Sequence, residues 1–154
     1  MVMIALFACA AGGCSFDRQW RQLGHDAWPT NSAVATTAPA SADPLAGRWD
    51  GTWVSEQDGH SGRLRAIVDR VDSDTYHIEY DGWFFGILRF THGMNVTATR
   101  AADANTVHFE GQEDLGGLAG GVYRYNGTAD GQQFQSTYQS SEDHGRFEMR
   151  RPQE

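Results

Sequence analysis

Residues 47–71 have the sequence GRWDGTWVSEQDGHSGRLRAIVDRV, in which apolar residues recur at every second position. Trp49 and Trp53 alternate with charged or polar residues, so one face of this segment is apolar and the other is polar. Leu64 and Val68 follow the same pattern after a turn that contains two glycines. Two alternating runs joined by such a turn predict a β-hairpin.

The same alternation recurs along the rest of the chain and gives eight predicted strands. They are expected at residues 47–55, 62–71, 75–84, 87–100, 105–114, 121–128, 132–140 and 145–151. Eight strands are enough for an antiparallel meander to close without leaving an exposed edge. The predicted fold is therefore all-β, an eight-stranded antiparallel up-and-down barrel formed by residues 47–152.

Composition excludes several classes of function. The 154 residues are 40% hydrophobic, which is enough for one domain with a core, and the net charge of -8 argues against a nucleic-acid partner. All twelve basic residues are arginine, so chemistry that requires lysine is excluded. Cys9 and Cys14 both precede the predicted barrel, so neither a disulfide nor a reactive thiol is expected in its body.

Residues 1–13 are expected to be a lipoprotein-type signal segment. The apolar run at the N-terminus is too short to span a bilayer and leads into small residues. The sequence Ala10-Ala11-Gly12-Gly13-Cys14 resembles a bacterial lipobox, in which the signal is cut before a cysteine that carries the lipid. This resemblance implies lipidation at Cys14. The alternatives are a buried N-terminal segment and, more weakly, lipidation at Cys9.

Residues 14–46 are expected to form a lipidated N-terminus and a linker. Residues 15–31 have aromatic residues without a clean period, which predicts at most one or two helical turns. Residues 32–46 are rich in Ala, Pro, Ser and Thr, a composition typical of an extended tether. The expected location is the cell envelope, on the outer membrane or its periplasmic face, with the barrel held away from the lipid.

Two resemblances support this interpretation. Gly47-Arg48-Trp49 at the start of the first strand resembles the G-x-W start of lipocalins and other calycin barrels. The tract 47–152 also resembles an uncharacterised family of small bacterial lipoproteins, through GRWDGTW at 47–53, GHSGRL at 59–64, DLGGLAGGVY at 114–123 and DHG at 143–145. The resemblances imply a lipid-anchored β-barrel and bring no known activity.

Polar residues with possible chemistry fall in the odd-numbered loops, which meet at one end of an up-and-down barrel. Because the first and last strands must pair on closure, Asp58 and His60 are predicted to lie beside Asp143 and His144. Such groups could bind a divalent metal or act as an acid/base pair. The favoured alternative is structural, with carboxylates capping turns and histidines holding neighbouring loops. No catalytic residue, metal site or cofactor is therefore predicted.

The predicted interior is lined by large rings. The candidate ligand-binding residues are Trp49, Trp53, Tyr76, Tyr80, Phe90, Tyr123, Tyr125 and Tyr138. A barrel of this size either is filled by its side chains or holds one small ligand. Buried tyrosine hydroxyls need partners, which favours a polar-lined cavity or ordered water. His92 is expected on the same apolar face, buried and hydrogen-bonded, unless a bulge at Gly93 turns it outward.

Three functions follow, and the sequence leaves all of them open. The favoured one is a membrane-anchored barrel that binds a small apolar or amphipathic ligand in a cavity above ~300 Å³ at the odd-loop end. The second is a structural or protein-interaction module with a filled core and an apolar patch around Leu115 and Leu118. The third is an enzyme or metal protein centred on His60 and His144, which we do not favour. The oligomeric state is not predicted.

Overall fold

The computed structural model describes residues 12–25, 43–102, 105–116 and 121–153. Its body is a closed barrel in which each strand pairs antiparallel with its neighbours in the chain. The elements are α1 (Gly12–His25), β1 (Gly47–Ser55), β2 (Ser61–Arg70), β3 (Thr75–Phe84), β4 (Leu88–Arg100), β5 (Val107–Asp114), β6 (Val122–Ala129), β7 (Gln133–Gln139) and β8 (His144–Arg150). The predicted all-β up-and-down barrel is confirmed, and every predicted strand boundary is within two residues of the observed one.

The barrel closes where β8 returns to pair with β1. The register runs from Asp50 opposite Arg150 to Ser55 opposite Gly145. This pairing uses the backbone groups of both terminal strands, so the sheet has no open edge. It also brings together residues that are about ninety positions apart in the chain.

The alternating pattern puts one face of every strand into a continuous apolar core. Trp49, Phe109 and Phe134 lie at its centre, and their ring centroids are separated by 5.5 Å and 4.9 Å along the series Trp49–Phe134–Phe109. All three side chains are buried. Packed rings therefore fill the part of the interior around Trp49, Phe109 and Phe134.

Several inward-facing strand positions are occupied by glycine, although the sequence suggested that glycine marks turns. Each of these glycines pairs across the strands with a large ring: Gly62 with Trp53, Gly82 with Phe90, Gly127 with Phe109, and Gly145 with Tyr138. A methyl group added at Gly82 would come within 2.3 Å of the Phe90 ring, so the ring occupies the space that a side chain would take. The glycines make room for aromatic side chains in a narrow barrel.

We name the two ends by their loops. The odd rim carries the β1–β2, β3–β4, β5–β6 and β7–β8 connections, and the even rim carries the other three. The segment that precedes β1 covers the even rim, because Leu45 is 0% exposed and its carbonyl accepts a hydrogen bond from Trp49 Nε1 at 2.9 Å. Asp43 accepts a hydrogen bond from the Tyr76 hydroxyl at 2.8 Å.

Residues 43–46, the last four residues of the predicted linker, therefore pack against the barrel. The period-2 pattern begins only at Gly47, so it gave no indication that Leu45 packs on Trp49. The remainder of the predicted tether, up to residue 42, lies outside the described residues, as do residues 1–11 of the predicted signal segment.

Helix α1 packs on the outer wall of the barrel, where the sequence predicted little regular structure. Phe16 is fully buried, and its ring stacks on Trp20 with 5.8 Å between centroids. The guanidinium of Arg65 on β2 lies over both rings, 5.1 Å and 5.0 Å from their centroids. The contacts that hold the helix thus come from the barrel, which explains why its own sequence gave a weak signal. Within the described residues, no helix has the length and apolar character needed to cross a membrane.

Four alternating charges join α1 to the barrel. Asp81 on β3 points outward yet is 0% exposed, and Arg65 Nη2 and the Arg89 side chain both donate to it. The same two arginines also bind Asp17 of α1, at 2.7 Å and 2.9 Å. Each of the four charged groups therefore has two partners of opposite sign. The arginines neutralise the buried carboxylate of Asp81, and Asp17 of the helix binds the same arginines.

Replacing Leu45 by alanine tests the cover at the even rim. We expect the free energy of unfolding to fall by about 2–5 kcal/mol, because a fully buried leucine is lost beside Trp49. Denaturant unfolding measures this change. Leu88→Ala is the control, since Leu88 is 40% exposed and its truncation should have a much smaller effect. Equal effects would show that the segment does not close the barrel.

Acid should release α1 before it unfolds the barrel. The hydrogen bond from Arg89 holds the pKa of Asp17 below its ordinary value of 3.8, and this outweighs the opposite effect of burial. The ion pairs therefore stabilise docking above about pH 3.8, the value for the unfolded chain, and the stabilisation is lost as pH falls through the lower folded-state pKa.

Hydrogen exchange measures this release, as the protection of α1 amides relative to barrel amides, corrected for the intrinsic rate at each pH. Asp17→Asn should lower that ratio at pH 7 and remove its acid dependence. A ratio that stays constant down to pH 3 in the unsubstituted protein would contradict the proposed role of the ion pairs.

Candidate functional site

The two loops with Asp and His residues lie side by side at the odd rim, as predicted. Glu56 donates its backbone N–H to the carbonyl of His144 at 2.8 Å. Arg146 on β8 also binds the carboxylate of Glu56 at 2.6 Å. The pairing of β1 with β8 produces this proximity, because it places the β1–β2 loop beside the start of β8.

Within these loops the carboxylates accept hydrogen bonds from the backbone and from neighbouring side chains at the odd rim. Asp58 accepts the N–H of His60 and pairs with its Nδ1 at 2.8 Å, and the backbone hydrogen bond is the main cause of the lowered pKa of Asp58. Asp143 accepts from Ser55 Oγ at 2.7 Å and from the Tyr138 hydroxyl at 3.2 Å. The carboxylates thus hold turns and join strands, which is the structural alternative of the sequence analysis.

The geometry gives little support to a metal site here. His60 directs its ring to Phe85, with 5.2 Å between centroids, and His144 contributes its backbone carbonyl to the contact with Glu56. In the part of the chain that the structure describes, no group of three or more His, Cys, Asp or Glu side chains is arranged to hold a metal ion.

Three of the predicted ligand-binding residues, Trp49, Trp53 and Tyr76, donate hydrogen bonds to other parts of the barrel. Trp49 donates to Leu45 and packs under the guanidinium of Arg151, which lies 3.8 Å from its ring centroid. Burial and the hydrogen bond to Asp43 raise the pKa of Tyr76 to about 12. Trp53 donates its Nε1 to the carbonyl of Trp83 at 3.1 Å.

The other five predicted residues line the odd half of the interior. Tyr80, Tyr125 and Tyr138 surround Phe147, with ring centroids 5.2 Å, 6.2 Å and 5.1 Å from it. Tyr123 stacks on Tyr125 at 6.3 Å, and Phe90 packs against Phe84 at 5.5 Å. The half-buried members are Phe84, Phe90, Tyr123 and Phe147. These four rings are therefore partly exposed.

Two polar atoms inside this ring cluster have no hydrogen-bond partner among the described residues: the Tyr80 hydroxyl and His92 Nε2. Their residues are directly opposite each other on β3 and β4, so their Cβ atoms are about 5 Å apart. The β3–β4 register is continuous through Gly93, so His92 faces inward without a bulge. The inward position was predicted, but Nε2 of His92 has no hydrogen-bond partner within residues 12–25, 43–102, 105–116 and 121–153.

Both groups are electrically neutral at pH 7. Burial lowers the pKa of His92, and this outweighs the opposite effect of Glu113. Burial also raises the pKa of Tyr80 well above its ordinary value. A neutral imidazole and a neutral hydroxyl can donate or accept hydrogen bonds, and both lie next to apolar rings.

The fixed charges near the cluster are negative. Glu113 pairs with Tyr123 on the inner face, and Asp143 caps the rim at Tyr138. In the described strands, arginine occupies outward positions throughout the odd half, as Arg63, Arg65 and Arg89 do. This arrangement favours a neutral or cationic guest over an anionic one.

Two shallow hollows of about 500 and 470 Å³ lie on the outer wall of the barrel, over β4 to β7. Their outward-facing residues include Thr97, Glu110 and Asn126. They are larger than the predicted ligand cavity but are not in the predicted place, because they do not open into the interior. They are open surface hollows, and none of the aromatic residues in the odd half except Tyr125 lines them.

No protein-family model matches the chain, and neither does any curated protein. The site is therefore defined by its own geometry. The alternating pattern indicated Tyr80 and the rings, but not the pairing of Tyr80 with His92 or the inward position of Glu113. The strand register could have revealed both, since residues directly opposite each other share a face.

Replacing single tyrosines by phenylalanine tests whether the Tyr80 hydroxyl lacks a hydrogen-bond partner. Tyr80→Phe should raise the free energy of unfolding of the empty protein by about 1 kcal/mol, because it removes a buried hydroxyl that has no partner. Tyr76→Phe is the matched control and should lower the free energy by about 1–2 kcal/mol, because it breaks the bond to Asp43. Denaturant unfolding distinguishes the two, and a destabilised Tyr80→Phe protein would contradict the interpretation.

Proposed function

We propose that this protein is a lipid-anchored β-barrel of the bacterial cell envelope that binds one small amphipathic molecule inside its odd rim. One observation carries the proposal: Tyr80 and His92 lie opposite each other on β3 and β4, and the Tyr80 hydroxyl and His92 Nε2 are buried without a hydrogen-bond partner among the described residues. Buried polar atoms in proteins are nearly always hydrogen-bonded, so two adjacent exceptions call for an explanation. A bound polar group supplies one.

The rings and the charges define the class of ligand. Phe90, Tyr123 and Phe147 offer a half-buried apolar surface in the odd half of the barrel. The polar end of the ligand would lie deeper, where it would exchange hydrogen bonds with Tyr80 and His92. Because Glu113 and Asp143 are the nearby charges, the ligand is expected to be neutral or cationic rather than a carboxylate or phosphate.

Anchoring is the second part of the proposal. Cys14 is a free, exposed cysteine in the first turn of α1, and its thiol takes no part in the barrel core. The preceding residues resemble a lipobox, and lipidation would convert this exposed position into the membrane attachment. The protein would then act on the periplasmic side of the membrane that holds it.

One observation favours the second candidate function, a structural or protein-interaction module. Rings fill the even half of the barrel, through the series Trp49–Phe134–Phe109, and the segment at Leu45 closes it. A module of this kind would need no ligand. The unpartnered pair at the odd rim distinguishes the candidates, because a purely structural core gains nothing from it.

Native mass spectrometry of the protein purified from its own host tests ligand binding. We expect a retained small molecule, and Tyr80→Phe should reduce its occupancy about tenfold, as the loss of roughly one good hydrogen bond predicts. Tyr76→Phe should retain it, because that hydroxyl binds Asp43 at the opposite rim. Mass spectra without any adduct, in all three proteins and in gentle detergent, would favour the structural module.

A further inference from the structure

The odd rim carries an exposed apolar segment, Phe85–Leu88, which we call the apolar tip. Phe85 is 69% exposed, Ile87 is 82% exposed and Leu88 is 40% exposed. They are consecutive along the β3–β4 connection except for Gly86. Single exposed apolar residues are common on protein surfaces, but three in one protruding turn form a patch that suggests a partner.

The backbone of the apolar tip makes Phe85 unusual. Phe85 and Gly86 both have positive φ, 51° and 71°, and Ile87 N–H donates to the Phe84 carbonyl at 3.1 Å. This is the geometry of a tight hairpin turn whose first central position favours asparagine, aspartate or glycine. A bulky aromatic residue is strained there, and an exposed one buries little in return. The Phe85 ring contacts His60 and Phe84 but remains mostly exposed.

Helix α1 points its N-terminus toward the same rim. Asp17 binds Arg89, which lies on β4 next to the apolar tip. Further along the helix, the Trp20 carbonyl accepts a hydrogen bond from Arg48, near the even rim. Since the helix advances about 1.5 Å per residue, Cys14 lies about 4.5 Å beyond Asp17 in the direction of the odd rim.

We propose that the odd rim faces the membrane, with the apolar tip inserted among the lipid headgroups. The proposal rests on anchoring at Cys14, because a lipid at that end of α1 brings this rim to the bilayer first. A docked helix within three residues of the lipid leaves little freedom to present another face. The partner of the apolar tip is therefore the lipid surface.

The surroundings of the apolar tip suit a lipid interface. Trp83 lies on the outer wall next to the tip, and the guanidinium groups of Arg63 and Arg89 lie 5.8 Å and 5.3 Å from its ring centroid. Tryptophan and arginine are side chains that combine an apolar body with a polar end, as the headgroup region requires. The ring cluster that we propose as the ligand site opens at the same rim, so an amphipathic ligand would enter it directly from the bilayer.

The experiment uses the lipidated protein with one introduced cysteine, Ile87→Cys or Val71→Cys, labelled with an environment-sensitive nitrobenzoxadiazole dye. Val71 is the matched control, since it is 61% exposed but lies at the even rim. Each protein is reconstituted into phosphatidylethanolamine and phosphatidylglycerol vesicles, with or without brominated lipid. We expect a blue-shifted emission that brominated lipid quenches at position 87, and water-like emission without quenching at position 71.

Water-like emission at position 87 would overturn the proposal and would leave a protein as the partner of the apolar tip. Equal quenching at both positions would overturn it as well, because the barrel would then have no preferred orientation. The intact mass of the same sample reports the lipid on Cys14 separately. If the lipid is absent but added vesicles still quench position 87, the membrane surface is correct and the proposed anchoring is wrong.

Discussion

The pairing of β1 with β8 is the constraint on which the rest of the structure depends. It removes both sheet edges, defines an inside, and joins the loop after Ser55 to the start of β8. Without it, the hydroxyl of Ser55 could not reach Asp143. The odd rim as a chemical unit exists only because the sheet closes.

Closure produces an interior with two different halves. In the even half, Trp49 and Tyr76 have hydrogen-bond partners and the rings pack against one another. In the odd half, Tyr80 and His92 have buried polar atoms with no hydrogen-bond partner in the described parts of the chain, and neighbouring rings are partly exposed. Stability is concentrated at one end, and the other end retains groups that are unfavourable for folding and suitable for binding.

The outer wall adds a direction to this arrangement. Asp17, Arg65, Asp81 and Arg89 fix α1 along the barrel by alternating charges, so the position of Cys14 relative to the strands is determined. Helix α1 precedes the predicted tether at residues 32–46 and is docked on the barrel. The N-terminus of α1 points to the odd rim, where the apolar tip and the ring cluster also lie. For this reason we propose that the odd rim lies against a membrane.

The sequence by itself determined the strands, their inward faces and the closure, because period-2 alternation is local and eight strands leave one simple solution. It also predicted that Asp58 and Asp143 share a rim. Only the tertiary structure decided that Leu45 covers the even rim, that α1 docks, and that Tyr80 faces His92. The segments that make those contacts have weak periodic patterns in their own sequence. They are stabilised mainly by residues that are distant in the chain.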